Sequence, residues 1–128
     1  MSLPENVLEL ARGANFAAFT VHLKSGDAMT HVMWVDADDD HVLINTEIHR
    51  DKFKAVERDP RVSVMIWNRD NPYSFAEIRG KVVETIGGAE ARTHIDTLSH
   101  KYTGSDYSSP ITSERVILKI APHAFGGR

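Results

Sequence analysis

Six segments of this chain read as β-strands, by apolar runs or by period-two alternation, and most are joined by connections too short for a crossover helix. That combination forces antiparallel neighbours. Asn15 to Leu23 places Ala17, Phe19, Val21 and Leu23 on one face, Lys24-Ser25-Gly26-Asp27 supplies a hairpin turn, and Ala28 to Val35 runs back. The acidic cluster Asp36 to Asp40 reads as the next turn, followed by a strand from His41 to Thr46. Arg61 to Trp67 and Tyr73 to Thr85 form two more strands around a polar loop, and Glu114 to Ile120 forms a sixth. So many strand edges are managed most economically by closure, so a mainly β fold built as a small, partly closed antiparallel barrel is expected.

Short helices complete this pattern. Ser2 and Glu5 have capping-box spacing ahead of a helical repeat of Leu3, Val7, Leu8 and Ala11, which Gly13 would end. A second helix over about Asp51 to Arg58 stops before Pro60, because the residue preceding proline disfavours the α region. A third, within Ala89 to Thr103, has Ala91, Ile95, Leu98 and Tyr102 on one face. Gly80 marks either a bulge or a close backbone approach inside its long strand. With 128 residues, 41% of them apolar, the expectation is a single domain over residues 1–128 with a complete core.

Composition removes several kinds of chemistry. The chain has no cysteine, which excludes thiolate nucleophiles, iron–sulfur clusters and Cys-ligated zinc and agrees with a cytoplasmic setting. A net charge of −3 without a basic run argues against a general nucleic-acid or anionic-membrane surface. No apolar run approaches a membrane span, and MSLPENVLEL lacks the basic and apolar regions of a leader, so no targeting signal is expected. Asp36, Asp38, Asp40 and Glu47 match the first, third, fifth and twelfth positions of a calcium loop, but His41 stands where that loop needs glycine. His22 with His31, and His94 with His100, lack metal-ligand spacing and read as ordinary surface or hydrogen-bonded histidines; no metal is expected.

The stretch from Val42 to Val64 carries the clearest chemical signal. A β run ends in Asn45 and Thr46, a basic turn follows with Arg50, Lys52 and Lys54, and Asp59-Pro60-Arg61 leads into the next strand. Amide and hydroxyl groups at a strand end, cations in a turn and free N–H groups at a helix start can converge on one phosphate. A solvated basic helix pairing loosely with Glu47, Asp51 and Glu57 would show the same residues. Trp34 closes an apolar strand, where it either packs in the core or offers a flat surface to a planar ring; Trp67 has the same two readings. Glu77 and Arg79 share a strand face and are read as a salt-bridged pair.

Taken in order, Gly26, Val32-Met33-Trp34, Asn45-Thr46, Arg50-x-Lys52, Asp59-Pro60-Arg61-Val62, Asn71-Pro72-Tyr73, Arg79-Gly80, His94-Ile95-Asp96-x-Leu98, Lys101-Tyr102-x-Gly104 and Glu114-Arg115-Val116 resemble the flavin/deazaflavin split-barrel superfamily. Within it, the chain is similar to pyridoxamine 5′-phosphate oxidase-like, F420-dependent oxidoreductases. The resemblance covers almost the whole chain. It implies a six-stranded FMN-binding type of split β-barrel, a homodimer with cofactor grooves at the subunit interface, and hydride transfer between reduced F420 and a small unsaturated acceptor.

The resemblance also implies roles for residues. Arg50 and Lys52, helped by Lys54, would hold the cofactor phosphate beside Asn45 and Thr46; Val32, Met33 and Trp34 would line the ring; Tyr73 and Ser74 would border it. No catalytic side chain is singled out. Val32 stands where many relatives carry proline, and the ending His123 to Arg128 has no counterpart of the tryptophan- and arginine-bearing extension of true pyridoxamine phosphate oxidases. Alternatives are an FMN-binding flavoprotein of the same fold and a non-catalytic flavin, deazaflavin or tetrapyrrole carrier.

Overall fold

The computed structural model describes residues 2–127. Seven strands, β1 (Phe16–His22), β2 (Ala28–Met33), β3 (Asp36–Ala37), β4 (Val42–Glu47), β5 (Arg61–Asn68), β6 (Asn71–Ile86) and β7 (Arg115–Gly127), form one sheet in the order β2-β1-β5-β6-β7-β4-β3. Every pairing is antiparallel. Three helices, α1 (Glu5–Arg12), α2 (Asp51–Arg58) and α3 (Gly88–Thr103), pack on it. The mainly β expectation is met.

One core joins Phe19 and Val21 of β1 to Val42 and Ile44 of β4, although these strands lie near opposite ends of the strand order. A sheet can bring both ends to one core only by curling around it. Val64, Ile66, Ile78, Leu118 and Ile120 fill the centre, and Leu3, Val7 and Ala11 of the α1 region close one side. Each of the Val, Leu and Ile side chains among them is worth about 1.5–3 kcal/mol when fully buried.

The differences from the sequence expectation have local causes. The seventh strand is β3, a two-residue piece inside the acidic cluster, where Asp36 pairs Leu43 and Ala37 pairs Val42. Its Ala37 faces the core while the remaining carboxylates turn to solvent or to partners. The capping box of α1 does not form: Pro4 occupies the N-cap without a side-chain cap, and Ser2 instead bonds Asp40 at 3.3 Å. β7 runs on to Gly127 because β6 is long enough to pair with it as far as Ala76.

Gly80 shows both features expected of it. The register shifts between Arg79 and Gly80, and a Cβ there would lie 2.1 Å from the Ala121 carbonyl oxygen. Glu77 and Arg79 pair at 3.4 Å.

At its C-terminal end α3 ties three segments together. Lys101 Nζ donates to the carbonyls of Ala11 and Val35 at 3.0 and 2.6 Å. The Tyr102 hydroxyl accepts the Val35 N–H at 3.1 Å and donates to the Asn15 carbonyl. Gly104 then stops the helix in the left-handed region at φ +83°, where glycine pays no Cβ penalty.

Candidate functional site

Alternation along β4 decides what the site contains. Val42 and Ile44 point into the barrel core, so Asn45 and Glu47 fall on the opposite face, where α3 and the Thr112–Ser113 segment cover them. Arg115 stands opposite Glu47 in the β4–β7 register and shares that covered face. Three polar side chains are thus buried outside the main core, with Asn45, Glu47 and Arg115 only 4%, 1% and 8% exposed.

Their pairing is complete. Arg115 Nε donates to Asn45 Oδ1 at 2.8 Å, and its Nη1 lies 3.5 Å from Glu47 Oε2. Glu47 Oε1 accepts the N–H groups of Thr112 and Ser113, each at 2.8 Å. Burial works against the Glu47 carboxylate, but those two N–H groups and the Arg115 charge outweigh it and hold the carboxyl below its ordinary pKa.

Beside this cluster opens a cleft of about 300 Å³ lined by Val32, Met33, Trp34, Asn45, Ile95, Leu98, Tyr107, Ser109 and Arg115. Trp34 and Tyr102 stack at 4.9 Å with planes 3° apart, and Tyr107 meets the Trp34 ring edge-on at 6.0 Å. The Arg115 guanidinium lies 5.3 Å from the Tyr107 ring centre. The lining is therefore aromatic at Trp34 and Tyr107 and cationic at Arg115. Burial holds the Tyr102 phenol up at about 12, so it stays a neutral, bonded support for Trp34.

Positive charge accumulates behind the cleft. Arg50 Nη2 lies 3.9 Å from the same Glu47 Oε2 that Arg115 approaches, so two guanidinium groups share one carboxylate oxygen. Lys52 is half-buried nearby; its pKa is lowered by burial first and then by the charges of Arg50 and Arg115. Arg50, Lys52 and Arg115 therefore face Glu47 and Asp51 with a local excess of one positive charge, in a chain whose net charge is −3.

Of the residues singled out from sequence, Val32, Met33, Trp34 and Asn45 border this cleft together. Arg50 and Lys52 are not among its lining residues, and Arg50 reaches the buried cluster through Glu47. Thr46 points the other way on β4 and is 3% exposed. Lys54 lines a separate cleft of about 240 Å³ with Leu23, Lys24, Asp51, Ala55 and Arg58. Tyr73, 73% exposed, and Ser74 lie at the start of β6, which is three places from β2 in the sheet order.

Sequence reasoning assigned no role to Arg115 or Tyr107 and read His94 as an ordinary histidine. The available signal was faint: an arginine opening an otherwise apolar strand, with a buried partner about seventy residues away. His94 is a hydrogen-bonded histidine, but an internal one, between Asn45 and Asp36.

A Ser-His-acid arrangement occurs nearby and fails on geometry. Ser113 Oγ and Glu47 Oε1 both approach His49 Nδ1, at 2.6 and 3.9 Å. A nucleophile relay needs serine and acid on opposite ring nitrogens. The calcium pattern is likewise dispersed, with Asp36 on His94, Asp38 on His41 and Glu47 on Arg115. Among the described residues no group of three or more potential ligands could hold a metal ion.

The model of the pyridoxamine 5′-phosphate oxidase family matches residues 3–127. Among solved structures, an F420 reductase superimposes with a TM-score of 0.83 at 22% identity, covering 97% of this chain and 98% of that one. A conserved hypothetical protein of Mycobacterium tuberculosis gives 0.72 at 19% identity, with 96% and 82% covered. General stress protein 26 of Bacillus anthracis gives 0.72 at 16%, with 94% and 89% covered. At these identities the likeness is one of fold. No curated protein matches the sequence.

Proposed function

The chain belongs to the pyridoxamine 5′-phosphate oxidase family, and from that membership we propose that it is a homodimeric, F420-dependent oxidoreductase that passes hydride between reduced F420 and a small unsaturated acceptor. The observation that carries the reading is a cleft lined by both the stacked Trp34 and Arg115, with Arg50 approaching the same Glu47 carboxylate as Arg115. A planar ring with a phosphate-bearing chain has that polarity. The site's chemistry fits: flat apolar side chains receive a ring face, and guanidinium and ammonium groups receive phosphate oxygens.

When bound, the deazaflavin supplies the hydride donor itself. The protein's work is to bind, orient and exclude water. Val32, Met33 and Trp34 line the ring, with Trp34 held flat by Tyr102. Arg50 and Lys52, at the start of α2, would hold the phosphate, whereas Lys54 lines the separate cleft and is not among the residues lining this one. Ile95 and Leu98 of α3 keep water from one side of the cleft.

A second copy of the chain would close the open side. Val32, Ala18 and Met65 lie in register across β2, β1 and β5 on the sheet's outer face, with Val32 66% and Met65 37% exposed. In the dimer this face, with Tyr73, borders the cofactor groove. A chain without cysteine suits a reducing cytoplasm, and no helix among the described residues is long and apolar enough to cross a membrane.

The same cation surplus favours one second reading, an FMN-binding flavoprotein, because FMN ends in a phosphate monoester of higher charge than the phosphodiester of F420. Calorimetric titration with each cofactor separates the two. Micromolar or tighter binding of F420 with weaker binding of FMN is expected; the reverse order moves the protein to FMN, and heat from neither overturns both.

A further inference from the structure

Asn45 borders the cleft, yet its amide hydrogens are already committed. They go to the Ala91 carbonyl and to His94 Nδ1, both at 3.0 Å, while Oδ1 takes the Arg115 Nε–H at 2.8 Å. What remains of its capacity is one lone pair on Oδ1. Asn45 is therefore poorly placed to grip a ligand and well placed to grip Arg115.

The proton arrangement follows from Arg115, which can only donate. The Asn45 oxygen must face it, so the Asn45 amide must face His94. His94 must then accept at Nδ1 and carry its proton on Nε2, where Asp36 Oδ2 lies 3.1 Å away. The His94 side chain is 12% exposed and that of Asp36 27%. Burial works against the Asp36 carboxylate, but the bonds from His94 and the Ala37 N–H, with the Lys101 charge, hold it ionised. A chain of defined direction runs from β3 through α3 and β4 to β7 and ends at the cleft.

At that end Asn45 and Glu47 hold Nε and Nη1, and Tyr107 lies against the guanidinium face. Nη2 is held by neither Asn45 nor Glu47, and Arg115 is one of the residues lining the cleft. We propose that Arg115 is the oxyanion-binding residue of this cleft, and that His94 with Asp36 is the positioning pair that aims it through Asn45. The ligand is a planar molecule with a phosphate or carboxylate held by Arg115. This rests on the reading of the cleft as the ring site, and the test below needs neither F420 nor FMN.

Full-length ¹⁵N-labelled protein is followed by long-range ¹H–¹⁵N spectra at His94 and by the Arg115 Nε–H signal, while sodium phosphate and then sodium benzoate are added. The expected results are a neutral Nε2–H tautomer at His94 and a saturable shift of Arg115 Nε–H with one of the anions. Saturation by phosphate alone identifies the cofactor's phosphate as the partner; saturation by benzoate identifies a carboxylate on the acceptor. His94→Leu should weaken that anion about tenfold or more and broaden the Arg115 signal, whereas His94→Gln, which keeps one acceptor and one donor, should stay within about threefold. An Nδ1–H tautomer, an Arg115 signal indifferent to both anions, or an unchanged anion affinity in His94→Leu would overturn the proposal. Should His94→Leu fail to fold, the wild-type tautomer and titration still decide. Success here with no heat from either cofactor would retain the oxyanion site and discard the cofactor assignment.

Discussion

Tyr102 shows how one side chain can serve packing and site together. Its ring supports Trp34 and its hydroxyl bonds both Val35 and Asn15, joining the end of β2 to the start of β1. Tyr102→Phe keeps the stack and removes the bonds, so it should cost about 1–3 kcal/mol in denaturant unfolding, mostly from leaving buried backbone groups unpaired. Glu47 governs acid stability at the same scale. Its folded pKa and that of Asp36 are depressed, so the unfolded chain binds protons more readily as pH falls. The stability they contribute is complete above an unfolded-state value of about 4 and is lost as pH drops through the lower folded values. Urea midpoints should therefore fall steeply below about pH 4, and Glu47→Gln should flatten that acid limb at the cost of lower stability near neutrality. Asn45 and Arg50 stood out in the sequence as a strand end followed by a basic turn, and Trp34 as the close of an earlier apolar strand. Arg115 and His94 were not, because their importance lies in contacts with Asn45 at separations of 70 and 49 residues.

At the scale of elements, the pairing of the two longest strands depends on a backbone approach that only glycine permits. Gly80→Ala would set a Cβ against the Ala121 carbonyl, so it should destabilise by about 1–3 kcal/mol or shift the β6–β7 register, read by thermal unfolding and by amide exchange in β7. The turn into α2 has a different task. Replacing Arg50 and Lys52 together by Ala should leave the melting temperature nearly unchanged, since Arg50 is exposed and Lys52 half-buried, yet weaken cofactor binding by about 3 kcal/mol or more in calorimetry. Apolar runs and period-two patterning disclosed the six longer strands, helical spacing disclosed α1 and α3, and Pro60 marked the end of α2. β3 escaped because two residues cannot establish a period, and the end of β7 escaped because Ala121-Pro122-His123 interrupts its alternation. Pairing with a long β6 overrides local preference there.

For the whole molecule, the proposed dimer would tie oligomeric state to the site through the outer face that carries Val32 and Met65, since Val32 also lines the cleft. Val32→Glu with Met65→Glu should convert a dimer to a monomer by light scattering and abolish cofactor binding in the same preparation; a wild-type monomer would remove the dimer from the account. Curling of the sheet was legible from strand number and short connections, whereas the cleft was not, because it exists only where β2, β4, β7 and α3 meet. The central claim is that a deazaflavin ring lies against Trp34. The measurement that tests it most directly is a fluorescence titration of Trp67→Phe, in which Trp34 is the sole tryptophan, with F420. Saturable quenching at one cofactor per protomer, at the concentration where calorimetry registers binding, is the predicted result; calorimetric binding with unchanged Trp34 emission would place the ring elsewhere and contradict it.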